Sequence, residues 1–159
     1  MILRSAPRWF CALLLITAVA TGGCGGCGGK KAPRPTMIDL HITATKDVNA
    51  NAAGKGQPVM LHLYQLAAGS GFSQADFFSL QGSAAATLGK DLLASETYSL
   101  APGGAKDRLL VAADGTHYVG VVAAFQQIDG ADWQAVKRIK TQATNQVEIS
   151  VGKRSVKLD

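Results

Sequence analysis

The sequence predicts an all-β domain with one short helix, folded as an antiparallel β-sandwich. Three observations predict it. Apolar residues recur with a period of two through most of the chain beyond residue 37, the runs end in paired turn residues, and one segment breaks the alternation in favour of a short helix. The chain has 159 residues, the size of one domain, and 47% hydrophobic against 17% charged residues describes a folding protein.

Residues 1–23 are set apart from the fold as an export signal. Arg4 and Arg8 give a positive start, and Trp9 to Ala20 is an apolar run of twelve. That is shorter than the roughly 18–20 residues that span a bilayer, so it reads as a signal core rather than a membrane helix. Ala20-Thr21-Gly22-Gly23 then stand immediately before Cys24. In a lipoprotein signal the peptidase admits only small side chains there, and the cysteine thiol accepts diacylglycerol. Cys24 is therefore the expected lipidation site, and its covalent lipid the only expected non-protein group, with no other cofactor. Thr21 stands where Leu or Val is preferred, and Cys27 is a second candidate. The three cysteines are Cys11, Cys24 and Cys27. With none from Gly28 to Asp159, the domain carries no disulfide and no thiolate metal site.

Residues 24–36 read as a lipidated tether. Glycines from Gly25 to Gly29 are followed by Lys30, Lys31, Ala32, Pro33, Arg34 and Pro35, a flexible and then stiff leash. Fully extended from Gly25 to Thr36 it reaches about 40 Å at ~3.3 Å per residue. The GxGxxG pattern inside it follows no strand and opens no helix, so it is not a nucleotide site. Without Arg4 and Arg8, the formal charge of +5 falls to +3. Lys30, Lys31 and Arg34 suit anionic head groups. A nucleic-acid surface needs a basic stripe interleaved with aromatics, and Lys137-Arg138-Ile139-Lys140 reads instead as a strand or edge with a solvated face.

Residues 37–159 form the β domain. Ile38, Leu40, Ile42 and Ala44 alternate with polar residues, as a half-buried strand requires. Val59, Leu61 and Leu63 alternate with Met60, His62 and Tyr64, a strand covered in part on both faces. Leu109 to Ala112 and Tyr118 to Phe125 are further apolar runs, Val147 to Val151 alternates again, and Val156 to Leu158 is a short last strand. Asp114-Gly115, Asp129-Gly130, Pro102-Gly103-Gly104 and Gly152-Lys153 supply the turns. Ser73 to Leu80 does not alternate. Ser73 as cap with Asp76 three residues on predicts a short helix whose Phe77, Phe78 and Leu80 plug the open end of the sandwich.

Candidate chemistry is sparse. His41, His62 and His117 lie far apart, none at metal-ligand spacing from another ligand. Asp129 and Asp132 flank a turn, where Asp bonds its own backbone. No G-x-S-x-G elbow is present. The expectation is a protein that is not an enzyme and binds no metal. The segment between the first two strands stands out: Asn49, Ala50, Asn51, Ala52, Ala53, Gly54, Lys55, Gly56 and Gln57 are small or polar, where a hairpin needs two to five residues. With no bulky residue to anchor it, such a loop is either a loose connector or a protruding contact surface.

Leu63-Tyr64-Gln65-Leu66, Ala75-Asp76-Phe77-Phe78, Leu88-Gly89-Lys90-Asp91-Leu92-Leu93, Leu100-Ala101-Pro102-Gly103 and Gly120 to Phe125, in that order behind a lipoprotein signal, resemble the type VI secretion outer-membrane lipoproteins, the TssJ or SciN family. Val48-Asn49 and Trp133 also fit, and the resemblance covers Ile38 to Lys140. Gln126 departs from it, standing where the family often has Arg. The resemblance implies a transthyretin-like sandwich with an added helix and no catalysis, held in the inner leaflet of the outer membrane and facing the periplasm. It implies binding to the periplasmic C-terminal domain of the inner-membrane protein TssM, tethering the secretion envelope complex, with no nucleic acid and no small-molecule substrate. The contact site it implies falls on Asn49 to Gln57, whose backbone and asparagine amides are the groups expected to dock. The alternative class is a periplasmic lipoprotein whose sandwich binds a small glycan or peptide, which requires a concave patch of exposed aromatics.

Overall fold

A computed structural model describes residues 33–159. The export signal, Cys24 and the first part of the leash lie outside the described residues. The strands are β1 (Met37–Ala44), β2 (Val59–Leu66), β3 (Leu92–Leu100), β4 (Ala105–Val111), β5 (Tyr118–Ala124), β6 (Gln134–Arg138), β7 (Thr144–Val151) and β8 (Val156–Leu158). They form two four-stranded sheets, in the orders β4-β1-β7-β8 and β3-β2-β5-β6. The expected β-sandwich is present. Five of its six strand pairings are antiparallel, but β1 and β7 run parallel, with Met37 opposite Thr144 and Ala44 opposite Val151. A parallel neighbour needs a long crossover, and here most of the domain separates the two strands.

Alternation decides what lies between the sheets. Ile38, Leu40 and Ile42 face Leu61, Leu63, Val119 and Val121, and Val147, Ile149, Val151 and Phe125 complete the core; all are buried. β3 and β6 were less legible. β3 is an edge strand with a weak burial rhythm, broken by Ser95, Glu96 and Thr97. β6 covers only the start of the basic segment that reads as a strand or edge.

The non-alternating segment differs from expectation in two ways. It forms two helices, α1 (Ser70–Gln74) and α2 (Phe77–Leu88), and Ser73 lies inside the first instead of capping the second. Asp76 is the cap: its carboxylate accepts from the Ser79 N–H at 3.0 Å and the Ser79 hydroxyl at 2.6 Å. These bonds hold its pKa below the ordinary carboxylate range.

The helices also do not plug the end of the sandwich. They cover the outer face of the second sheet, where Phe72, Phe77, Leu80 and Leu88 pack on Tyr64, Leu66 and Val122. That is why β2 and β5 are apolar on both faces. The Tyr64 hydroxyl donates to the Leu80 carbonyl at 3.0 Å, and Phe77 meets Trp133 edge-on at 5.5 Å. Phe78 points away and is 73% exposed.

Two histidines mark the sheet surfaces. His41 sits opposite Asp107 across β1 and β4, its Nδ1 2.8 Å from the carboxylate, and this bond raises its pKa. His62 lies against Thr97, and burial lowers its pKa. In a proton NMR titration His41 is expected to titrate above the ordinary 6.5 and His62 below it. Asp107→Asn should bring His41 back down. The contribution of His41 to stability is then complete below pH 6.5 and lost as pH rises through its folded pKa. That of His62 is complete above pH 6.5 and declines as pH falls toward its folded pKa. A single shared midpoint for both rings would contradict these environments.

Candidate functional site

Because β1 and β7 run one way and their antiparallel neighbours the other, the connections sort to two ends. At one end are the β1–β2 loop, the β3–β4 turn at Pro102 to Gly104, the β5–β6 connection from Phe125 to Trp133, and the β7–β8 turn at Gly152 to Ser155. At the other end the chain comes in through Pro33 to Thr36, beside the starts of β3, β5 and β7 and the ends of β2, β4 and β6. The candidate contact loop and the incoming chain therefore stand at opposite ends of the sandwich.

The base of the loop is anchored in the core, contrary to the expectation from its small residues. Val48 is fully buried, and Asn49 is 5% exposed with φ of 50°. The Asn49 amide nitrogen donates to the Pro58 carbonyl at 2.8 Å, and its amide oxygen accepts from the Gln126 N–H at 2.8 Å. This one side chain links the β1–β2 and β5–β6 connections. The Gln57 N–H closes the base on the Val48 carbonyl at 2.9 Å.

The tip is held by a second asparagine. The Asn51 amide oxygen accepts from the Ala53 N–H at 3.1 Å and the Lys55 N–H at 3.0 Å, as in an Asx turn. Its own N–H donates to the Lys55 carbonyl at 3.0 Å, and the Gly54 N–H donates to the Asn51 carbonyl at 2.9 Å. Gly56 has no substitute, since a Cβ there would lie 2.2 Å from the Lys46 carbonyl oxygen. The Asn49 amide is thus engaged at both its nitrogen and its oxygen, and the Asn51 amide at its oxygen. What the loop presents is the exposed stretch Ala52, Ala53, Gly54 and Lys55, with Ala50, Asn51, Gly56 and Gln57 half-buried behind it. It is a preformed, low-relief surface with one cation.

The three histidines are not brought together. Among the described residues, no group of three or more His, Cys, Asp or Glu side chains is placed to hold a metal ion. Among them, too, no helix is long and apolar enough to cross a membrane. Among the described residues, the exposed large hydrophobic side chains are Met60, Phe78, Leu109, Val111 and Val136, and one ring does not make an aromatic platform for a glycan. Sequence reasoning did not foresee the buried bridge of Asn49. A polar residue directly after the apolar Val48 is its only trace in the sequence.

The described residues thus form a two-sheet sandwich with helices on one outer face and a loop closed by its own hydrogen bonds at one end. Residues 36–154 match the family described as type VI secretion lipoprotein, VasD, EvfM, TssJ, VC_A0113. The chain belongs to this type VI secretion lipoprotein family. Among solved structures it is similar to the T6SS lipoprotein TssJ1 from Pseudomonas aeruginosa, at 31% identity and TM-score 0.76, over 79% of this chain and 95% of that one. It is similar to Serratia marcescens Lip, a membrane-bound component of the type VI secretion system, at 28% identity and TM-score 0.72, over 79% and 98%. A chain in the structure described as T6SS protein TssM C-terminal domain (869–1107) from EAEC matches at 25% identity and TM-score 0.67, over 77% and 97%. Among curated protein sequences none matches.

Proposed function

We propose that the protein is a non-catalytic anchor of the type VI secretion envelope complex, divided into a signal (1–23), a tether (24–36) and a β domain (37–159). An acyl group on Cys24 holds it in the outer membrane, the domain faces the periplasm, and the Asn49 to Gln57 loop binds the periplasmic C-terminal domain of TssM. One observation carries this reading: the preformed loop stands at the end of the sandwich opposite the incoming chain, so a domain tethered by its N-terminal side presents the loop away from the membrane. Family membership supports the secretion role. The match to a chain in the TssM structure supports the partner. There, 77% of this chain covers 97% of the matched one, which is therefore close to this domain in size and much shorter than the 869–1107 span.

A loop already closed by its own hydrogen bonds loses little conformational freedom on docking, which favours affinity. Replacing Asn51 to Lys55 with a short Gly-Ser link is expected to weaken binding of the full-length protein to purified TssM C-terminal domain by at least about tenfold, a change of ~1.4 kcal/mol. The melting temperature should move by no more than about 2–4 °C, because the exposed tip buries little apolar area. Undiminished binding would remove the contact role.

The anchor is tested separately. Cys24→Ser is expected to abolish incorporation of labelled palmitate. Label that survives there and disappears in Cys27→Ser would move the acylation site.

A further inference from the structure

The outer face of the first sheet is polar over most of its length. Asp39, His41 and Thr43 of β1 share it with Asp107 of β4 and Glu148 of β7. At the end where the chain comes in, its character changes. Leu109 and Val111 lie two residues apart on one face of the edge strand β4, and they are 63% and 65% exposed. Val111 is paired with the half-buried Met37.

The incoming chain is fixed at the same corner. The Ala112 N–H donates to the Thr36 carbonyl at 2.9 Å and the Met37 N–H to the Ala143 carbonyl at 2.9 Å. The Gln142 N–H donates to the Thr36 hydroxyl at 2.9 Å. Exposed cations surround this end. Arg34 lines a shallow depression with Val111, Asp114 and His117, and His117 also lines an adjoining one with Arg138 and Lys140. Lys90 and Asp91, near the start of β3, offset each other.

We propose that this end of the domain docks on the surface of the membrane that anchors it. Leu109 and Val111 enter the headgroup layer, and Arg34, Arg138 and Lys140 pair with the phosphates of anionic phospholipid. The proposal rests on the reading that Cys24 carries the acyl anchor. The nine residue-to-residue steps from Cys24 to Pro33 keep this end within about 30 Å of the bilayer at ~3.3 Å per step. Exposed Leu and Val on an open sheet edge favour unwanted strand pairing, which natural edges normally suppress with charge or cover. A headgroup layer covers them, and basic side chains near an anionic surface are drawn to it. Asp39, Asp107 and Glu148 bound the patch, so the sheet face does not lie flat on the bilayer. The sandwich stands on its end, and the β1–β2 loop faces away.

The test uses the full acylated chain in vesicles of phosphatidylethanolamine and phosphatidylglycerol. An environment-sensitive fluorophore is placed on one added cysteine, Val111→Cys or Ala53→Cys, with Cys27→Ser in both. With a quencher carried on the lipid headgroup, the probe at position 111 is expected to be quenched at least about threefold more than the probe at position 53. The difference should shrink in phosphatidylcholine vesicles, and in Arg34→Glu with Lys140→Glu. Leu109→Ser should reduce it without changing the melt. Equal quenching at the two positions in chain that floats with the vesicles overturns docking and leaves the anchor intact. Chain that does not float overturns the anchor, and docking with it. A position-111 probe shielded only after soluble envelope proteins are added assigns the patch to a protein and overturns the proposal.

Discussion

Phe72→Ala is expected to destabilise the domain by about 3–5 kcal/mol, read as a lower midpoint in urea unfolding at unchanged slope. The ring is fully buried between α1 and the second sheet, tilted against Tyr64 at 5.6 Å between centroids. It also lies directly on the backbone of β5, because residue 120 is glycine. A Cβ there would stand 2.8 Å from the tip of the Phe72 ring. Gly120→Ala is therefore expected to cost about 1–3 kcal/mol by overpacking. In the Phe72→Ala background the new methyl occupies vacated space, and its cost should largely disappear. Two residues in contact couple in this way, whereas independent ones add. Additive losses, or a Phe72→Ala cost below about 1 kcal/mol, would mean that the helices do not rest on this sheet face.

Asn49→Ala is expected to cost about 2–4 kcal/mol, although the residue sits at the base of an exposed loop. Its amide satisfies the Pro58 carbonyl and the Gln126 N–H, and removing it leaves two polar groups without their partner. Alanine is also disfavoured at the left-handed backbone conformation, by roughly 1–2 kcal/mol. Asn49→Gly removes only the second penalty, so it should be the milder variant while remaining well below wild type. This separates the two halves of the Asn49 to Gln57 segment. Substitution at Asn49 is expected to act on folding, and exchange of the exposed tip on the proposed partner binding. If Asn49→Ala left the melt unchanged, the bridge to the β5–β6 connection would be dispensable.

Much of the fold was legible because strand patterning is a local property. Ile38, Leu40 and Ile42 declare a one-sided strand, and Val119 to Ala124 declares a strand covered on both sides, without reference to anything distant. The length and polarity of Asn49 to Gln57 likewise marked a loop larger than a hairpin needs. What covers the second face of β2 and β5 was not legible. The same Phe77 and Leu80 would suit the end of a sandwich or its side, and only the packing of Phe72 against Gly120 places the helices on the side. Ser73 and Asp76 are both good caps by type. The choice between them was made by the burial of Phe72 in a separate first helix.

By itself the sequence determined that this is a β-sandwich domain with an unusual first loop, because residue type and spacing set which faces are apolar and where turns fall. Tertiary structure decided the rest, because it depends on which distant strands meet. The parallel pairing of β1 with β7 joins segments about a hundred residues apart, and it sets the start of β7 beside the incoming chain. The amide of Asn49 could serve a partner or the fold, and the nearness of Gln126, far along the chain, commits it to the fold. Leu109 and Val111 stand in an apolar run of the sequence, Leu109 to Ala112. At the edge of the first sheet they have no second sheet above them, so their hydrophobicity is left facing outward beside the incoming chain.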